Sequence, residues 1–359
     1  MMISILVLVS LAWLVPVILL FRGFGGRPRP ERFLAVNGFA DRPSDVDHVR
    51  TILRRTYRSR LAGAIAGLTI GGLAALRVSP MFVSGGAIIG LLMGSMVGIT
   101  VAQARRGTTD RSAARSASLL AREPRDYRPR HAAATITVLA VMLLAYGIFA
   151  VTSAQVTLGV ANATIFGVGF AALLAVPLGQ RFERRTAELQ RTGGDETARQ
   201  VDDALRASAI RGIHHSTLGV LLCGLCLIGT GAVATQSWIA VVDGPHTLLR
   251  IPSHTTVNLQ RVSQAGTPAA EAVWRADWKE FDGTSHARTL RPASGNVTLD
   301  SSGRDSSLLG IGAAVSFLGF LGALIEWVRA ARAWRKPQRG PTLPLVAPSV
   351  APTNLGVAR

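Results

Sequence analysis

The chain has 359 residues, of which 48% are apolar and 17% are charged, and its mean hydropathy is +0.33. These values exclude an ordinary soluble protein, because so few charged residues cannot cover a water-exposed surface of this size. Two cysteines exclude a disulfide-rich scaffold and a multi-cysteine metal framework. Arginine carries almost all of the positive charge, as is typical of GC-rich bacterial genomes. We therefore expect an integral protein of the bacterial plasma membrane.

Seven stretches are long and apolar enough to cross the roughly 30 Å hydrocarbon core of a bilayer as helices. The first, at 2–21, lacks a basic N-terminal region and is longer than the apolar part of a signal peptide, so we predict a retained span. The other six follow at 61–79, 81–102, 132–153, 156–178, 217–242 and 307–329. The sequence thus predicts an all-α, seven-span helical bundle.

The distribution of Lys and Arg predicts the orientation of these spans. The loops on one side of the predicted bundle hold 31 of the 39 Lys and Arg residues, at 22–60, 105–130, 181–211 and 329–359. Basic loops stay in the cytoplasm, so we predict the N-terminus outside and the C-terminus inside. The net charge of +18 is then explained by membrane topology, with Arg-rich loops against anionic inner-leaflet lipid, and we expect no nucleic-acid partner.

Basic segments with helical periodicity precede the three predicted helical hairpins, at 45–60, 109–123 and 195–211. Val46, Val49 and Leu53 share one face of the first segment, which favours an amphipathic helix lying on the inner leaflet. The sequence Tyr-Arg-Ser-Arg at 57–60 is echoed by Tyr-Arg-Pro-Arg at 127–130. This echo suggests an internal duplication, although Arg-rich entrances to spans also recur for chemical reasons alone.

The predicted outer loop at 243–306, between spans six and seven, is long enough to fold by itself. Strand-like stretches alternate in it with Pro, Gly and Ser, so we predict a small β-rich extracytoplasmic insertion. Trp274, Trp278 and Phe281 cover this β-structure, lie on the bilayer surface or form an outer partner surface. The tail at 330–359 is rich in proline and is predicted to be a disordered cytoplasmic segment.

Glycine recurs at helical spacing in the second and third predicted spans, at Gly63, Gly67, Gly71, Gly86, Gly90, Gly94 and Gly98. Residues four apart lie on one helix face, and glycine there lets two backbones approach closely. The pattern predicts packing between the two spans. A seam between two copies of the chain, or a small-residue face lining a pore, stays open as an alternative.

No residue pattern predicts catalysis, a metal site or a cofactor. The pair Cys223 and Cys226 has the spacing of a redox motif, but it lies in an apolar span, where structural packing is the simpler interpretation. The outer loop has three histidines and several acids without an organising metal-ligand spacing. Within the predicted spans, charged residues occur only at the ends, at Arg77 and Glu326, which argues against proton-coupled transport.

Three functional hypotheses follow from these observations. The first is a non-enzymatic sensing, scaffolding or accessory subunit, with an outer loop that meets a ligand or protein and cytoplasmic segments that meet a partner. The second is a permease or channel for an uncharged small solute through the glycine-lined helices. The third is a membrane enzyme that uses Cys223 and Cys226 or a metal site in the outer loop. We rank them in this order.

Overall fold

In the described part of the computed structural model, six helices are long and apolar enough to cross a membrane, and the chain is a multi-pass membrane protein. The structure describes residues 29–39, 43–78, 83–105, 124, 127–128, 131–154, 160–188, 196–235, 238–252, 256–263, 268, 271–279, 285–294, 296–300 and 306–335. The predicted span at 2–21, the segment at 109–123, Phe281 and the tail beyond 335 lie outside the described residues.

Eight α-helices run through the described part of the chain. They are α1 (Pro30–Val36), α2 (Pro43–Val78), α3 (Val83–Ala104), α4 (Ala132–Thr152), α5 (Val160–Ala171), α6 (Ala175–Glu188), α7 (Glu196–Thr235) and α8 (Ser306–Ala331). A 3₁₀ turn at Ala172–Leu174 joins α5 to α6 within one candidate span. Pro177 follows this turn, and its ring and missing N–H disturb regular α-helical hydrogen bonding in the preceding turn.

Two predicted boundaries between a basic segment and a span do not exist in the structure. The segments at 45–60 and 195–211 continue without a break into the following spans, as the helices α2 and α7. No proline interrupts either junction, so nothing stops the helix there. The span predicted to end at residue 242 instead leaves the helix after Thr235, because the β-branched run that begins at Trp238 forms a strand.

The helix α7 is the centre of the bundle. It contacts α3, α4, α5, α6 and α8. In its most apolar 18-residue stretch, 72% of the residues are buried, against 11% in the corresponding stretch of α2. Leu221 and Ile228 of α7 are fully buried in the main apolar core. The outer faces of α2, α4 and α8 carry exposed large apolar side chains, as lipid-facing helices do.

The predicted amphipathic face at the start of α2 packs against protein. Val49 and Leu53 are buried in a small core with Phe33 of α1, Leu205 of α7 and Trp334 after α8. The expectation that this face lies on the inner leaflet is therefore wrong, because another apolar surface of the same chain covers it. We call this group of helix segments the distal unit, since it lies at the end of α7 away from the strands.

Among the described residues between α7 and α8, six strands form two antiparallel three-stranded sheets, which we call the β unit. The strands are β1 (Trp238–Asp243), β2 (His246–Pro252), β3 (Thr256–Arg261), β4 (Trp274–Lys279), β5 (Ser285–Leu290) and β6 (Thr298–Asp300). The sheet orders are β2-β1-β6 and β3-β4-β5. Val241, Ile251 and Ala276 are fully buried in its core. A small sheet region therefore exists where the loop composition predicts one.

Candidate functional site

The glycines of the second and third predicted spans face each other inside one chain. A Cβ atom built on Gly67 would collide with the backbone of Gly90 and Gly94, and one on Gly63 would collide with Gly94 and Gly98. The helices α2 and α3 therefore run antiparallel in backbone contact, as small residues permit in a membrane. We call this contact the glycine seam. Each glycine face is filled by the other helix, which leaves no lumen between them.

The cysteine pair of α7 lies among packed side chains. Both thiols are free, and Cys223 is buried in the main apolar core. The sulfur of Cys226 lies 3.6 Å from the hydroxyl oxygen of Ser316 on α8. The two cysteines thus fill space between α7 and its neighbours.

The two tryptophans predicted to cover the β-structure or to form an outer surface lie on a strand. Trp274 and Trp278 belong to β4, where residues four apart also share a face, and both pack against the core of the β unit. The ring of His286 stacks on Trp278 with 5.2 Å between centroids. Within the described residues no group of three or more His, Cys, Asp or Glu side chains could hold a metal ion.

The most unusual chemistry is a set of buried ionisable side chains at the distal end of α7. Asp202 and Arg206 form an ion pair of 2.8 Å one turn apart, with only 12% and 5% of their side chains exposed. The hydroxyl oxygen of Tyr127 lies 3.4 Å from a carboxylate oxygen of Asp203. Burying charges in this way is costly unless they are paired. Arg206 pairs with Asp202 within α7, and Tyr127 joins the segment before α4 to α7.

A second buried ion pair joins α6 to the segment before α4. Arg128 binds the carboxylate of Glu183, whose side chain is 1% exposed. Arg128 also lies close enough to His214 of α7 to interact with it electrostatically. This pair therefore borders the part of α7 around His214.

Two adjacent histidines complete the set. The Nδ1 atom of His215 lies 2.6 Å from one carboxylate oxygen of Glu326 on α8, and Arg329 donates to the other oxygen at 2.5 Å. His214 is 3% exposed, and its Nδ1 has no hydrogen-bond partner among the described residues. The packing of α8 against α7 brings Glu326 against His215.

Together these side chains form what we call the ionisable cluster: Tyr127, Arg128, Glu183, Asp202, Asp203, Arg206, His214, His215, Glu326 and Arg329. Its imidazole and carboxylate pairs can hold protons. Its ion pairs join α6 to the segment before α4, and α7 to α8, while the pair of Asp202 and Arg206 lies within α7. The sequence does not predict this cluster, because its contacting residues lie up to 111 positions apart along the chain. The one available signal was the presence of acids inside segments that otherwise carry only arginine.

Comparisons with protein-family models, with curated proteins and with solved structures found no match to this chain.

Proposed function

We propose that this protein is a non-enzymatic sensing or scaffolding subunit of the bacterial plasma membrane. In this proposal the β unit lies outside the cell and meets a ligand or protein. The distal unit and the ionisable cluster lie in the cytoplasm or at its boundary and respond to that contact. The chain crosses the membrane seven times, with its N-terminus outside and its C-terminus inside, as the basic loops indicate.

The observation that carries this proposal is the direct connection of both regions through α7 and α8. The strand β1 begins three residues after the end of α7, and β6 ends six residues before the start of α8. With 40 residues, α7 is about 60 Å long, roughly twice the thickness of a hydrocarbon core. One continuous helix therefore reaches from the β unit to the distal unit.

Close backbone packing makes α7 and α8 behave as one pair. A Cβ atom on Gly229 would lie 2.6 Å from the backbone nitrogen of Ser316, and one on Gly319 would lie 2.7 Å from the backbone nitrogen of Cys226. At the far end of the pair, His215 binds Glu326. Tightly packed helices move as units, so a displacement at the β unit favours a displacement at the ionisable cluster.

The first experiment forces α7 and α8 apart near the β unit and measures hydrogen exchange near the ionisable cluster. We expect Gly229→Leu to increase hydrogen exchange of the backbone around His215, about 14 residues away, because the leucine forces α7 and α8 apart. Gly310→Leu is the matched control, since a Cβ atom there meets nothing within 4 Å. Unchanged exchange in Gly229→Leu, in a protein that still folds, contradicts mechanical connection through this pair.

The second experiment tests the sensing and scaffolding role itself. The tagged protein is purified from its native membranes in mild detergent and its intact complexes are weighed by native mass spectrometry. We expect a second polypeptide at fixed stoichiometry, lost when Trp334→Ala disrupts the distal unit. Isolation of the protein alone, with solute flux in reconstituted vesicles, would contradict the proposal in favour of a permease.

A further inference from the structure

A small cavity lies where the distal unit meets the membrane-spanning bundle. It has a volume of about 60 Å³ and is bordered by α2, α3, α7 and the residues at the end of α8. A single water needs roughly 10–15 Å³ by the same measure, so the cavity has room for a group of several heavy atoms. Its polar lining consists of Thr56, Tyr57, Arg60, Gln103 and Ser208.

Arg60 is the cation of this cavity. One of its guanidinium nitrogens donates to the carbonyl oxygen of Ala330 at 2.8 Å. That carbonyl belongs to the last turn of α8, where backbone acceptors have no partner within the helix. A guanidinium has five N–H donors, and within the described part of the chain Ala330 supplies the one acceptor that binds Arg60. Most of its donors are therefore available to a group in the cavity.

Among the described residues, no carboxylate forms an ion pair with Arg60. Two acids on helices that border the cavity are already engaged: Asp202 of α7 binds Arg206, and Glu326 of α8 binds His215 and Arg329. A partly buried charge without a counter-charge is unfavourable. Arg60 therefore differs from Arg128 and Arg206, each of which lies against a buried carboxylate.

We propose that this cavity binds a phosphate group, with Arg60 as its counter-charge. The planar guanidinium can donate two parallel hydrogen bonds to phosphate oxygens. Thr56, Tyr57 and Ser208 supply hydroxyl groups, which can bind the remaining oxygens. The phosphate belongs either to a soluble molecule or to the headgroup of an anionic phospholipid. This site does not depend on the sensing role proposed above.

Two measurements on the full-length protein distinguish the sources. Inorganic phosphate is titrated into protein in an uncharged detergent, with calorimetry as the readout. The protein is also placed in nanodiscs of phosphatidylcholine with and without phosphatidylglycerol, then released and weighed by native mass spectrometry. Saturable calorimetric binding supports a soluble phosphate, and retention of one phosphatidylglycerol supports a lipid headgroup. If neither measurement detects binding, the proposal is overturned.

Variants locate the binding. We expect Arg60→Gln to weaken whichever binding is found by at least about tenfold, because charge-assisted hydrogen bonds are lost. Arg54→Gln is the matched control, since Arg54 is exposed on the same helix and does not line the cavity. Ser208→Leu fills the cavity and leaves Arg60 in place. If Arg60→Gln does not fold, this second variant tests whether the ligand binds in the cavity. Equal binding by the wild type and Ser208→Leu overturns the proposal.

Discussion

The helices α2 and α7 share one sequence pattern, but α2 lies on the outside of the bundle and α7 at its centre. Both begin with a basic amphipathic segment and continue into an apolar span, over 36 and 40 residues. However, α7 is the buried centre of the bundle, whereas α2 packs on its outside, mainly against α3. Both helices make backbone contact through glycine, α2 with α3 and α7 with α8, but of the two α7 also carries a buried ion pair. The comparison teaches that the same pattern of basic segment and apolar span serves both an outer helix and a central one.

The largest effect is expected at the glycine seam of α2. We predict that Gly67→Leu destabilises the protein by about 4 kcal/mol or more, because the side chain would have to enter the backbone of α3. Thermal unfolding in detergent measures the change. Gly167→Leu on α5 is the control, since a Cβ atom there meets nothing within 4 Å. Similar losses in both variants would mean that α2 does not depend on backbone contact.

The next largest effect is expected on α7, at the pair of Asp202 and Arg206. We predict that Asp202→Ala lowers the free energy of unfolding by about 3 kcal/mol, because it leaves the buried Arg206 without the carboxylate that pairs with it. The comparable pair on α2 is Asp47 and Arg50, whose side chains are 85% and 51% exposed. Asp47→Ala is expected to change stability by less than about 1 kcal/mol. Equal effects of the two substitutions would remove the distinction between the helices.

A smaller effect is expected where α7 meets α8. Glu326→Gln removes the charge that His215 and Arg329 contact but keeps a polar side chain of the same size, so we predict a loss of about 1.5 kcal/mol. Glu31→Gln is the control beside α2, since Glu31 binds Arg50 at the exposed surface. A resolvable fall in the melting temperature for Glu31→Gln, without one for Glu326→Gln, would reverse the comparison.

The smallest effect concerns the β unit that follows α7. Hydrogen bonds donated by Ser294 and by the backbone of Ala293 lower the pKa of Asp243 from its ordinary value of 3.8. A carboxyl group whose pKa is lower in the folded protein stabilises the fold above the unfolded-state pKa. That contribution is lost as the pH falls through the folded-state pKa. We therefore expect tryptophan fluorescence of the β unit to report loosening below about pH 4. Asp243→Asn should remove this part of the pH dependence, and an identical profile would contradict the assignment.

Several elements could be predicted because they depend on local pattern. Apolar stretches of about 20 residues locate α3, α4 and α8 to within a few residues, since crossing a hydrocarbon core sets the length of a helix. The alternation of apolar and turn-forming residues after residue 243 likewise indicates strands, whereas most of β1 falls within the span that was predicted to end at residue 242. The ends of α2 and α7 were harder to place, because the boundary between an amphipathic and an apolar helix has no backbone signal.

The candidate site could be predicted only in part. The register of glycines on α2 and α3 is visible in the sequence because spacing alone places them on one face. The contact between His215 and Glu326 is not, because it depends on how far α8 slides along α7. The same holds for Arg60, whose only described acceptor lies 270 residues further along the chain.

The sequence by itself determined that this is a multi-pass membrane protein with a small sheet between its last two described helices. Both properties follow from the cost of placing polar groups in lipid and from local backbone preference. The tertiary structure alone decided which helix is central, that the apolar face of α2 is covered by α1 and α7, and which charges are paired. Those outcomes depend on which surfaces meet, and surfaces from distant parts of one chain compete for the same contacts without leaving a local pattern.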